Sequence, residues 1–174
     1  MASHLLALLE TDSSRIIADM TVQEIGTNPD RFEEVLHYAV DGQYPINMRA
    51  ARVVELSLRN NKSWYRLYVS YFIEILSKHT NDGVKRAFLK AVEYSYPKHI
   101  SDDELGHVIS ICFDKLNGLE SVAVKAYSID ILQKILSNVP DLKHEFIETL
   151  ENQLGMNTLA LDRKIKKVLK SIDV

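Results

Sequence analysis

The sequence predicts an all-α protein built from repeated two-helix units, and three observations carry that prediction. Arg49-Ala50, Arg86-Ala87, Lys125-Ala126 and Arg163-Lys164 open four similar apolar-periodic segments at spacings of 37, 39 and 38 residues. Phe32, Tyr68, Val108 and Phe146 sit early in four other segments, spaced by 36, 40 and 38 residues. Both series span 114 residues, as two alternating helices in a repeat of about 38 residues would. Period-2 runs bounded by hairpin turns are absent, so no strand is expected.

Taken in order, helices are predicted over 3–10, 13–25, 29–41, 46–60, 62–79, 83–96, 101–117, 120–138, 140–153 and 157–172. Asn28-Pro29-Asp30 places a cap residue before a proline at the first helical position, where the missing N–H costs nothing. Pro140-Asp141 is expected to open a helix in the same way. Ser101-Asp102-Asp103-Glu104 reads as a capping box, with hydroxyl and carboxylate each satisfying an amide of the first turn. Pro97 should stop the helix that ends at Tyr94-Ser95-Tyr96. Asn117-Gly118 and Gly155 are expected to supply left-handed helix ends. Connections of two to five residues make neighbouring helices antiparallel. The organisation expected is one domain over 1–174, with a degenerate capping hairpin at 1–26 and repeats at 28–60, 62–97, 101–138 and 140–172.

The helix at 62–79 marks an internal repeat. Trp64, Tyr65, Tyr68, Tyr71, Phe72 and Ile75 fall within an arc of about 120°, and Val69, Ile73 and Leu76 widen the apolar sector to about 200°. Such a helix touches neighbours on two sides, so the stripe reads as core; the alternative puts Trp64 or Tyr65 on the rim as a docking residue.

Composition excludes more than it identifies. The chain has 174 residues, 46% apolar and 26% charged, with a net charge of −3, so no global charge draws it to nucleic acid or anionic membrane. Cys112 is the lone cysteine, which rules out an internal disulfide and a cysteine zinc site. It lies among Val108, Ile109, Ile111 and Phe113, the setting of an inert buried thiol. The N-terminal Met1–Glu10 stretch is apolar but short, lacks a basic region and is followed by Asp12; it reads as a helix and not as a signal peptide. With no membrane-length apolar run, a cytoplasmic location is expected.

No constellation for chemistry emerges. The six glycines are isolated and form no phosphate loop. His4, His37, His79, His99, His107 and His144 form no metal-ligand pair, and the carboxylates Glu33-Glu34 and Asp102-Asp103-Glu104 complement helix dipoles. No nucleophile, base and oxyanion donor come together. A non-catalytic protein without metal or small-molecule cofactor is expected.

The second helix of each unit opens with a small apolar residue, a basic residue and alanine: Met48-Arg49-Ala50-Ala51, Val84-Lys85-Arg86-Ala87 and Val124-Lys125-Ala126. This pattern resembles the HEAT-like and armadillo-like α-helical repeats. The resemblance covers roughly 29–172 and extends to a group of small bacterial HEAT-like proteins of unestablished function. It implies a right-handed α–α superhelix, a solenoid of about five hairpins. It also implies an inter-repeat ladder with Asp82 and Glu120 as acids, Asn157 as a stand-in, and Asn47 or Asp41 serving the first full unit. Some members of that group bear the name adenylosuccinate lyase. This chain is several-fold shorter than that enzyme and lacks its Ser-Ser-x-Met-Pro-x-Lys-x-Asn signature, so the activity is not expected.

Splitting the repeat into its two helix rows exposes a charge asymmetry. The first helices, 28–41, 62–79, 101–117 and 140–153, carry −7 in total. The second helices, 46–60, 82–96, 120–138 and 157–172, carry +7. In the resembling superhelices the second helices line the concave face, which should therefore be basic. The candidate partner-binding residues are Arg49, Arg52, Arg59, Arg86, Lys90, Lys134, Arg163 and Lys167. A basic concave face suits a scaffold that binds an acidic protein segment. The alternative is a nucleic-acid binder using the same row. Against it, more than half of the excess comes from the last helix, and interleaved exposed aromatics are not expected in the basic stripes. Some DNA glycosylases share the HEAT-like fold; Glu55, Glu93 and Asp130 are the carboxylates placed for such a role. An enzyme of unrecognised mechanism is the least favoured reading.

Overall fold

The computed structural model describes residues 3–78 and 81–172. Among them are ten α-helices and no strand: α1 His4–Thr11, α2 Arg15–Ile25, α3 Pro29–Asp41, α4 Ile46–Asn60, α5 Ser63–Lys78, α6 Asp82–Ser95, α7 Asp102–Asn117, α8 Val122–Leu136, α9 Lys143–Gln153 and α10 Leu159–Ile172. The expected helix end at His79 lies outside the described residues. The caps act as their chemistry dictates. Asn28 Oδ1 accepts from the amides of Asp30 (2.9 Å) and Arg31 (3.3 Å), and Ser101 and Glu104 form the full capping box. The chain forms two compact units, Met1–Ser95 and Tyr96–Val174.

Two local expectations are corrected. Pro140-Asp141 does not begin an α-helix: Pro140–Leu142 is a 3-10 turn, and α9 starts after it without a side-chain cap. A proline at N1 suits either helix type, and Val139 has no side-chain acceptor to hold the α register. Gly118 is not left-handed either; its φ is −81°, whereas Gly26 and Gly155 have φ of 54° and 78°. At Gly118 the requirement is size. A Cβ there would lie 2.9 Å from the carbonyl oxygen of Asp114, which accepts the Gly118 amide.

In the first unit α4 packs against α3 and lies between α2 and α6 along the row of second helices. Small residues permit this approach: Ala50 and Ala51 on α4 and Ala87 on α6 are buried, and a Cβ on Gly83 would overlap Met48 Cγ. The first helices α3 and α5 are instead bridged by rings. Phe32 lies 4.5 Å from Trp64 and 4.9 Å from Tyr68, centroid to centroid, and the Tyr68 hydroxyl donates to Glu33 at 2.8 Å. In the second unit α7 pairs with α8, α9 with α10, and α8 with α10. Its core includes Cys112, Leu116, Ile129, Leu132, Phe146, Leu150 and Ile165.

The stripe on α5 is core, with a shifted centre. Trp64, Tyr65 and Phe72 are buried together with Val69, Ile73 and Leu76, while Tyr68 is half-buried and Tyr71 is exposed. Phe72 meets Phe88 of α6 with ring centroids 4.8 Å apart, while the Tyr71 edge stays outside. Trp64 and Tyr65 are therefore core residues, not rim residues.

Burial raises the phenols of Tyr65 and Tyr68 to about 12, aided at Tyr68 by its hydrogen bond to Glu33. An unfolded tyrosine titrates near 10. Between these values the folded chain holds more protons than the unfolded one, so stability present below pH 10 is lost as pH rises toward 12. The urea midpoint is expected to fall across that window, and Tyr65→Phe to flatten the fall.

Candidate interaction surface on the second helices

The ladder position coincides with the expected residue in α4 and α8 and lies one residue earlier in α6 and α10. The fourth residues of the second helices are Arg49, Lys85, Lys125 and Asp162. Lys85, not Arg86, is thus the counterpart of Arg49, and Lys85 and Lys125 are buried. Arg49 Nη1 donates to the carbonyls of Leu9 (2.8 Å) and Glu10 (3.2 Å), where the C-terminal end of α1 presents negative dipole. Lys85 Nζ lies 3.5 Å from Asp82. Lys125 Nζ donates to Gln153 Oε1 at 2.7 Å, and burial lowers the pKa of this amine. Asn157 Nδ2 donates to the Gln153 carbonyl at 2.7 Å and to the same side-chain oxygen at 3.3 Å, so it joins the ladder through Gln153.

Of the acids expected in the ladder, Asp82 meets the ladder residue of its own helix, and the others have partners elsewhere. Asp82 pairs with Lys85, and Glu120 lies 3.6 Å from Lys115. Asp41 pairs with His37 at 2.9 Å, and Asn47 Oδ1 accepts the Met48 amide at 2.7 Å.

The remaining candidate cations divide into engaged and displayed. Arg52 donates to the Ser13 carbonyl at 3.0 Å. Arg59 and Lys90 converge on one carboxylate, the buried Glu55: Arg59 Nε pairs with Oε1, and Lys90 Nζ lies 3.2 Å from the same oxygen. The Arg59 guanidinium also stands 5.7 Å above the ring of Tyr94, which in turn lies 6.1 Å from Tyr65. Tyr94 is 50% exposed and was not expected beside a basic stripe. Its signal was the pair Lys90 and Tyr94, four apart on α6, matching Glu55 and Arg59, four apart on α4.

Arg86, Arg163 and Lys167 are exposed and have no ion-pair or hydrogen-bond partner among the described residues, and Lys134 is exposed in the last turn of α8. Of the three carboxylates placed for base chemistry, Glu55 is buried under two cations and Asp130 is held by Lys164 at 2.5 Å. Glu93 is half-buried.

The largest displayed charge is on α10. Leu161, Ile165 and Val168 are buried and fix the helix to its unit. Arg163, Lys166, Lys167 and Lys170 project from it exposed and without partners among the described residues. In the first unit, by contrast, Arg49, Arg52, Arg59, Lys85 and Lys90 all have partners, and Arg86 alone of the second-helix cations does not. The basic character of the second row therefore reaches solvent chiefly through α10.

Among the described residues no group of three or more His, Cys, Asp or Glu side chains could hold a metal ion. Burial pushes the Cys112 thiol up to about 12, the opposite of an activated nucleophile. No described helix is long and apolar enough to cross a membrane.

The sequence matches the HEAT repeat domain over residues 6–172. No curated protein and no solved structure matches it significantly. HEAT repeats commonly serve as protein–protein scaffolds and are typically non-catalytic. A match across nearly the whole chain, with second helices that share a ladder position, places it: the chain belongs to the HEAT repeat domain family.

Proposed function

We propose that the chain is a non-catalytic binding module that takes an acidic protein segment on its second-helix face, with α10 as the principal contact. The observation that carries this reading is the set of four unpartnered cations on a helix anchored by Leu161, Ile165 and Val168. Cations on a helix already fixed need little ordering on binding, and a like-signed set selects an acidic partner. Protein is favoured over nucleic acid because Leu159, 76% exposed, opens the same helix and Met156, 75% exposed, lies in the turn just before it. A peptide brings apolar side chains to cover them; a phosphate backbone does not.

The test uses a fluorescent helical peptide with glutamates on one face and leucines beside them, and a labelled DNA duplex, both titrated by anisotropy. The peptide is expected to bind in a salt-dependent manner. Arg163→Glu with Lys167→Glu should weaken it on the order of tenfold or more, and Arg52→Glu little, since Arg52 is already held by Ser13. Duplex binding as tight as the peptide's, at the same salt, counts against the reading.

A further inference from the structure

The acidic segment that α10 takes is present in the chain itself. We infer that the first hairpin, α1–α2, of a second copy docks on α10, so that copies join by a heterologous contact. This rests on the reading of α10 as a site for an acidic protein segment, and it names the segment.

Two surfaces motivate it. On α2, Ala18, Thr21, Val22 and Ile25 are buried against the first unit. At 100° per residue Ile16 and Met20 fall on the opposite side, one turn apart, and they are 72% and 47% exposed. On α10, the same geometry sets Leu159, Arg163, Lys166 and Lys170 opposite the buried Leu161, Ile165 and Val168. Each surface thus pairs exposed apolar side chains with a helix that, among the described residues, packs on no helix on that side.

Their charges are opposite. The first hairpin has four acids, Glu10, Asp12, Asp19 and Glu24, against Arg15, a net −3; Asp19 pairs with Arg15 and Glu24 with Arg31 of α3, so the exposed Glu10 and Asp12 are the acids displayed. The segment 157–172 carries +4. Second helices within each unit pack on the next second helix, α2 on α4 on α6 and α8 on α10. Docking α2 of one copy on α10 of another repeats that relation with the same type of element. Because the two surfaces differ, every added copy leaves one of each kind open, and association does not stop at two.

Sedimentation velocity of the full chain over rising concentration tests this. At low salt the mass is expected to rise past twice the 19.9 kDa of one chain, and at high salt to return to one chain. Ile16→Glu with Met20→Glu blocks one surface, and Lys166→Glu with Lys170→Glu blocks the other; all four residues are exposed, so both variants should keep the wild-type circular dichroism spectrum. Each variant alone is expected to be a monomer, and an equimolar mixture to form a one-to-one dimer and nothing larger. A wild-type monomer at every concentration overturns the inference, as does a dimer that either variant retains alone, or a monomer that instead floats with phosphatidylserine vesicles. A monomer that still binds the acidic peptide overturns the inference alone; a monomer that also fails to bind the peptide overturns the reading of α10 too.

Discussion

Phe72→Ala is expected to lower the unfolding free energy by about 3–5 kcal/mol, the cost of a large aromatic removed from a core that cannot close over the gap. Phe72 is wholly buried on α5, with its ring 4.8 Å from Phe88 on α6 and 6.4 Å from Tyr68. Its neighbours are held from both sides: Val69 and Leu76 on α5 and Leu89 and Val92 on α6 are also buried. Collapse into the cavity would have to drag one helix of the hairpin, and α6 is fixed in turn against α4 through Gly83 and Met48. Phe72→Leu should cost much less, because most of the volume is kept. Urea denaturation measures the loss. Amide exchange locates it, because in a repeat protein each element depends on its neighbours: protection should fall in α4 to α6. A loss below about 1 kcal/mol would be incompatible with a fully packed Phe72.

How much of this could be read from the residues depended on whether a signal was local. Helices opened by Asn28-Pro29 or by Ser101 with Glu104 begin where expected, because cap and amide are a few residues apart and nothing distant competes. Gly118 and Pro140 show the limit: each is a permissive residue that suits more than one backbone, and neighbouring hydrogen bonds choose among them. The ladder was legible as a type of residue at a type of place, but off by one in α6. Lys85 and Arg86 are adjacent cations, and only packing shows that the first turns inward and the second outward. The charge split between rows is a property of sequence and stands; how much of it reaches solvent is not, since Arg49 and Arg52 donate to carbonyls some forty residues away. Glu55 recurs at helical spacing with Arg52 and Arg59, a pattern that on sequence alone points a carboxylate to solvent. It is buried, and Lys90 from α6, the second helix of the next hairpin, lies against it.

Glu55→Ala should act in opposite directions on stability and binding. Glu55 is a buried carboxylate whose Oε1 meets both Arg59 and Lys90. Removing it leaves two cations side by side with no anion between them, and a buried pair broken from one side costs about 3–5 kcal/mol when the remaining charge is trapped. Here Arg59 and Lys90 can swing partly into water, so a loss of about 2–3 kcal/mol is expected. Glu55→Met combined with Lys90→Met should recover much of that loss, because the pair is then replaced by apolar side chains that fill the same space. A urea double-mutant cycle reads the coupling, and strictly additive effects would show that the two residues do not meet. The released cations also change the surface. With Glu55 gone, Arg59 and Lys90 join Arg86 as second-helix charges without a carboxylate partner in the first unit, and the acidic peptide should bind more tightly even as the fold weakens. Unchanged binding by Glu55→Ala at a temperature where it is still folded would mean that the acidic partner does not reach the α4–α6 face and that α10 alone carries the contact.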